Sequence, residues 1–169
     1  MEIVGIKQKV DIKFISTFII IWALDMATKF WALDFLDAAK NPEYAYSGYE
    51  VLGNFLRFRL THNTGGVFGI FQGNAIIFHI LTGFAILFLL FYYIKTPDFS
   101  RMFQISISFI VGGALGNFTD RFFRPGVVDF IDMGIGTYRW PTYNVADSFI
   151  TVGALVLALA FYLMEKKRQ

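Results

Sequence analysis

The chain has no cysteine and only two histidines, His62 and His79, in 169 residues. No disulfide, thiolate nucleophile or iron–sulfur cluster is possible. Without an HExxH motif, a zinc enzyme would have to rest mainly on carboxylates, which catalytic zinc seldom does, so no metal site and no cofactor are expected. Charge is scarce too. Asp, Glu, Lys and Arg make up 17% of the chain, against about 25% in soluble domains. A net charge of +2 provides no basic surface for nucleic acid, so no nucleic-acid partner is expected. What is present is apolar: 56% hydrophobic residues, 21 of them Phe, with a mean hydropathy of +0.53. That composition excludes disorder and a disulfide scaffold and leaves a small integral membrane protein.

A spanning helix needs about 20 mostly apolar residues. Four stretches qualify, at 14–33, 75–94, 102–118 and 145–164. The expectation is a membrane all-α fold, a four-transmembrane-helix bundle in a single domain over 1–169, with connections at about 34–74 and 119–144. Loop charge sets the orientation. Lys7, Lys9, Lys13, Lys95, Arg101, Lys166, Lys167 and Arg168 crowd the tails and the short connection. The two long connections are longer and sparser in basic residues, with Lys40, Arg57, Arg59, Arg121, Arg124 and Arg139. Both termini are therefore expected in the cytoplasm and the long connections on the outer face. The basic start and apolar 14–24 also look like a signal peptide. No clean small-residue cleavage site follows, so the segment reads as an uncleaved helix.

The first connection contains a strand pattern. Leu56, Phe58 and Leu60 alternate with Arg57, Arg59 and Thr61, the period of a half-buried strand. Asn63-Thr64-Gly65-Gly66 reads as a turn, and a second apolar stretch occupies 67–71. These suggest a small extracytoplasmic antiparallel sheet between helices 1 and 2, resting on the membrane.

Ionisable groups inside spans cost about 2.5–3.5 kcal/mol each at the helix centre on insertion scales. Asp25 and Lys29 stand four apart, close enough on a helix to pair. Gly112 and Gly116 form a GxxxG pair that permits close helix approach. Gly113, Asn117 and Arg121 follow at spacing four on one stripe. Beyond the Pro125-Gly126 break, Asp129 sits between Val128 and Phe130, surroundings that would desolvate it and raise its pKa. Asp132 is its nearby competitor. Asp147 falls in the first turn of the last span, with Asn144 as its cap or a hydrogen-bond donor. Asp129 and Asp147 thus reach the same membrane face. Two carboxylates sharing one proton can activate water without metal or thiol. Paired aspartates at that depth also bind cations or line transport paths, so an ion-coupled transporter or channel subunit remains open on residues alone, as does a non-catalytic assembly factor.

At these residues the chain resembles the bacterial lipoprotein signal peptidases (signal peptidase II). Asp25-Met26-Ala27-Thr28-Lys29 is similar to D-x-x-[ST]-K, and Asn63-Thr64-Gly65-Gly66-Val67-Phe68 to N-x-G-x-x-[FW]. The run from Gly112 to Asn117 with Asp120-Arg121 is similar to G-G-A-x-G-N-x-x-D-R, Val127 to Phe130 to V-V-D-F, and Asn144 to Ser148 to N-x-A-D-S. Gly66 stands where many members have Ala, and Met26 where many have Gln. The resemblance implies an aspartic endopeptidase of the bacterial inner membrane, with its active site near the outer face. It would cut lipid-modified prolipoproteins before the lipidated Cys and be blocked by globomycin-type inhibitors. Membrane lipids would surround it. The resemblance implies Asp129 and Asp147 as the catalytic pair. Asn63, Gly65, Asn117, Asp120, Arg121 and Asn144 would surround the site, and Asp25 and Lys29 would be a supporting pair.

Overall fold

The computed structural model describes residues 11–37, 39–65, 75–95 and 100–166. Four helices, α1 (Ile12–Phe35), α3 (Ala75–Lys95), α4 (Arg101–Phe123) and α5 (Val145–Lys166), are long and apolar enough to cross a membrane. A short α2 (Tyr44–Ser47) and strands β1 (Tyr49–Leu52) and β2 (Leu56–Asn63) fill the first long connection. Strands β3 (Val127–Ile135) and β4 (Tyr138–Arg139) fill the second.

The spans begin where side chains satisfy orphan backbone donors. Asp11 accepts from Lys13 N at 2.9 Å before α1, and Ser100 accepts from Phe103 N at 3.3 Å before α4. At 21 to 24 residues, and about 1.5 Å per residue, each helix exceeds the roughly 30 Å of a hydrocarbon core. The extra length over the sequence expectation is largest in α4. That helix continues through Thr119, Asp120 and Arg121 to Phe123 because its charges find partners, and it stops only before Pro125.

The centre of the bundle is α4. Its glycines let two neighbours approach on different sides. A Cβ at Gly112 would meet Ile21 Cβ and Phe18 O of α1 at 2.8 Å, and one at Gly113 would meet Ala146 O of α5 at 2.5 Å. Ser106 and Ser108, also buried, return their hydroxyls to Phe103 O and Gln104 O at 2.8 and 2.9 Å, so neither hydroxyl is stranded in the apolar interior. Phe14, Ile86, Tyr93, Phe103, Ile107 and Val111 form the core at the other end of the bundle.

The antiparallel sheet is present, and it is larger than the first connection alone could make. Its order is β1-β2-β3-β4. β2 pairs with β1 on one side and β3 on the other, from Leu56↔Met133 to Asn63↔Val127, with a bulge in β2 between Phe58 and Thr61. The strand neighbours are thus 49–52 and 127–135; residues 66–71, with the apolar stretch, lie outside the described residues. The sheet docks on the end of α1 through rings: Trp31 meets Phe58 at 5.1 Å and Phe35 meets Tyr49 at 5.2 Å. This seats the start of β3 above the junction of α1, α4 and α5.

Candidate active site

Three helices meet at a buried ionic node. Lys29 Nζ lies 2.7 Å from Asp25 Oδ2 and 2.9 Å from Asp120 Oδ2, and donates to Asn117 Oδ1 at 3.0 Å. The contact to Asn117 is a hydrogen bond, whereas Asp25 Oδ2 accepts none and is held to the ammonium by charge. Lys29, Asp25 and Asp120 are each 0% exposed. Asp120 also pairs with Arg124 one turn on, so two carboxylates face two cations and the node is formally neutral. Its carboxylates also organise backbone. Asp25 Oδ1 accepts from Ala146 N at 2.8 Å, in the first turn of α5, and Asp120 Oδ2 accepts from Val128 N at 3.0 Å, in β3. The node thereby fixes both chain segments that carry the two aspartates of interest.

Gly116 belongs to this node. A Cβ there would overlap Asp25 Oδ2 and crowd Ala146 Cβ at 3.4 Å. Gly116→Ala is expected to displace the Asp25 carboxylate from Lys29. The cost should reach or exceed the about 1–3 kcal/mol of ordinary overpacking. Thermal unfolding in detergent micelles measures it; a wild-type midpoint would show that the node tolerates the methyl group.

Asn144 is the N-cap of α5 in a reciprocal capping box. Its Oδ1 accepts from Asp147 N at 3.0 Å, while its own N donates to Asp147 Oδ2 at 3.2 Å. The cap orients the Asp147 carboxylate, and Asn117 Nδ2 holds the other oxygen, Oδ1, at 2.8 Å. The Asn144 amide nitrogen reaches the opposite way, donating to Asp129 Oδ1 at 2.7 Å, Asn117 Oδ1 at 3.1 Å and Val128 O at 3.3 Å. Asn63 Nδ2 donates to Asp129 Oδ2 at 3.1 Å, and Asn63 Oδ1 accepts from Gly65 N at 3.0 Å in an Asx turn. Each aspartate therefore has one amide donor on each oxygen, and Asn144 contacts both.

Asp129 is 2% exposed. Burial pushes its carboxyl up to about 7, the charge of Asp147 adds to the rise, and the hydrogen bonds from Asn63 and Asn144 partly oppose it. A carboxyl raised in this way binds a proton more tightly folded than unfolded. Its contribution to stability is present below the unfolded value, near 4, and is lost as pH rises through about 7. Asp147 sits in the first turn of α5, where a helix N-terminus attracts negative charge.

Asp132 is three residues from Asp129 in regular strand and so projects to the other face. It pairs there with Arg57 at 2.7 Å and Arg139 at 2.8 Å. Burial alone would raise its carboxyl, but the hydrogen bonds and charges of Arg139 and Arg57 hold it below the ordinary range.

The structure brings Asn63, Asn117, Asn144, Asp129 and Asp147 into one hydrogen-bonded set, with Gly65 at its rim. Asp25, Lys29 and Asp120 lie beneath it. Arg121 is on the same stripe of α4 as Asn117, its guanidinium 5.3 Å from the Phe78 ring and 3.4 Å from Asn117 O. Arg124, which the sequence did not single out, completes the node. Spacing four from Asp120 was its available signal.

A family model described as signal peptidase (SPase) II matches residues 17–163. A lipoprotein signal peptidase of Clostridium novyi is 40% identical, covering 85% of this chain and 93% of the relative. One from Francisella tularensis subsp. novicida is 34% identical over 92% and 95%. Among solved structures, one described as a bacterial membrane enzyme superposes with a TM-score of 0.79 at 29% identity, covering 93% of this chain and 92% of that one. A second so described gives 0.73 at 31% identity, covering 88% and 92%. The chain belongs to the signal peptidase II family.

Proposed function

We propose that this chain is an aspartic endopeptidase that removes the signal peptide from diacylglyceryl-modified prolipoproteins, cutting before the lipidated Cys, with Asp129 and Asp147 as the catalytic pair. Removal of signal peptides from prolipoproteins follows from family membership. The observation that carries the finer reading is Asn144, which holds both carboxylates through a single side chain and its own backbone. An ionised and a neutral carboxyl then face one substrate bond. The ionised one takes a proton from water as the oxygen attacks the scissile carbonyl. The neutral one donates its proton to the carbonyl oxygen. Collapse of the tetrahedral intermediate breaks the C–N bond, and the departing amine takes a proton back from the pair. The products are a signal peptide ending in a carboxylate and a lipoprotein beginning with a free amino group. The proton belongs to the pair rather than to either residue.

Asn63, Gly65, Asn117 and Arg121 border the pair and are positioned to contact the substrate peptide, while Asp25, Lys29, Asp120 and Asn144 hold the frame. A signal peptide is itself an apolar helix, so its cut site reaches the membrane boundary at the depth of α5's first turn. With both termini cytoplasmic, as the loop charges indicate, that boundary is the outer face of the bacterial inner membrane. The whole of 1–169 acts as one peptidase domain, and globomycin-type inhibitors would occupy the same cleft.

Incubation of the purified protein with a diacylglyceryl-modified precursor tests this reading. Mass spectrometry should show loss of the signal peptide with the lipidated Cys at the new N-terminus. EDTA and thiol reagents should leave the rate unchanged. An uncleaved lipidated precursor, or loss of activity with EDTA that zinc restores, would overturn it.

A further inference from the structure

The strand register sorts the sheet's side chains onto two unlike faces. Directly opposed residues share a face, and successive residues alternate. Tyr49 opposes Phe58, Phe58 opposes Ile131, Leu56 opposes Met133 and Ile135 opposes Tyr138. Ile131, Met133 and Ile135 alternate along β3, so these side chains lie on one apolar face. Glu50 opposes Arg57, Arg57 opposes Asp132 and Gly134 opposes Arg139, so the other face is charged. The rings of Tyr49 and Phe58 touch Phe35 and Trp31 of α1, which turns the apolar face toward the membrane-crossing helices. On the other face Phe130 also packs on α1, with its ring 6.1 Å from Trp31, and the charged stretch is the part beyond it, from Asp132 to Arg139.

At its far end this face is uncovered. Ile135 is six residues beyond Asp129, roughly 20 Å along the strand, and Ile135 and Tyr138 are 77% and 86% exposed. Trp140, two residues past Tyr138, is 63% exposed. The tip is tied down: Asn54 Nδ2 donates to Gly136 O at 3.0 Å, Gly134 N donates to Phe55 O at 3.0 Å, and Arg139 donates to Asn54 O. At the same end of the bundle, α1 exposes Phe30 and α4 exposes Phe122 and Phe123. That is an aromatic rim of the kind found where spans leave the hydrocarbon, and the apolar face continues it sideways.

We infer that the β3–β4 hairpin tip, with Ile135, Tyr138 and Trp140, rests in the lipid headgroup boundary beside the bundle and holds the sheet flat over the bilayer. Facing water, these side chains would leave their apolar surface in solvent, whereas Trp and Tyr favour the membrane interface. The charged ladder of Glu50, Arg57, Asp132 and Arg139 then faces water.

The absence of cysteine makes single-site labelling clean. Nitroxide labels at Tyr138→Cys and, independently, Ile135→Cys in the full chain would be compared with one at Glu50→Cys in phosphatidylcholine nanodiscs. Collision with oxygen, which enters lipid, is set against collision with a water-soluble nickel chelate. The tip labels should show an oxygen-to-nickel ratio several-fold above that at position 50. Equal ratios at all three sites would overturn the inference. Shielding that arises only when precursor is added would assign the tip to substrate, and shielding from both reagents would assign it to a second copy; either result also overturns it. The readout needs no cleavage activity, so its failure is separable from failure of the peptidase reading.

Discussion

Asp129→Asn and Asp147→Asn, made singly or together, are expected to lower precursor cleavage by about 10³-fold or more, with the double variant no worse than either single one. Asn keeps the size and shape of Asp but can neither accept water's proton nor share one. In the proposed reaction the two carboxylates act on one substrate bond, so removing either would disable the unit. The variants should still fold. Asp129→Asn removes a charge that burial disfavours, although it sets one amide donor against the donors of Asn63 or Asn144. Asp132→Asn is the internal comparison. Its carboxylate is held by Arg57 and Arg139 on the opposite face, so most activity should remain in the protein that folds. Cleavage assays at matched, monodisperse detergent-extracted protein decide the matter. Near-wild-type activity in Asp129→Asn, or loss confined to Asp132→Asn, would remove Asp129 from the site.

Lys29→Met should produce the largest loss of stability. Met fills a similar length of side chain but leaves Asp25 and Asp120, both 0% exposed, facing each other with Arg124 as the remaining cation of the node. Removing one partner of a buried ionic cluster costs about 3–5 kcal/mol. The thermal midpoint in micelles should fall on the order of 10 °C. Adding Asp25→Asn should recover part of that loss, because the uncompensated charge is then gone. A midpoint equal to wild type would mean that the node carries no net stabilisation.

These expectations depend on features of unequal visibility in the sequence. The spans were legible because apolar composition over about 20 residues is a local property. β2 was legible from the alternation of Leu56, Phe58 and Leu60 with Arg57, Arg59 and Thr61. Its partners were not, because β3 arrives from beyond two helices and no local signal encodes that pairing. The Asp25–Lys29 pair followed from spacing four. By the same rule Asp120 pairs with Arg124 rather than with its neighbour Arg121, since adjacent residues on a helix point in different directions. The motifs marked Gly116 as a packing glycine, yet the group nearest to it is the Asp25 carboxylate. Asn144 was visible as a cap for α5. That its amide also grips Asp129 is a property of the junction between β3, α4 and α5, and only the three-dimensional arrangement contains it.

The pH dependence of kcat/KM for precursor cleavage tests most directly whether Asp129 and Asp147 work through one shared proton. This ratio follows the protonation of the free enzyme. With Asp129 pushed up to about 7 beside Asp147, the singly protonated pair is lost by deprotonation as pH rises through that region and by full protonation in acid. The expected profile, measured from about pH 4 to about pH 9, is a bell whose alkaline limb falls above about 7. A rate that instead climbs through neutrality to a plateau at alkaline pH would contradict the shared proton and with it the aspartic mechanism.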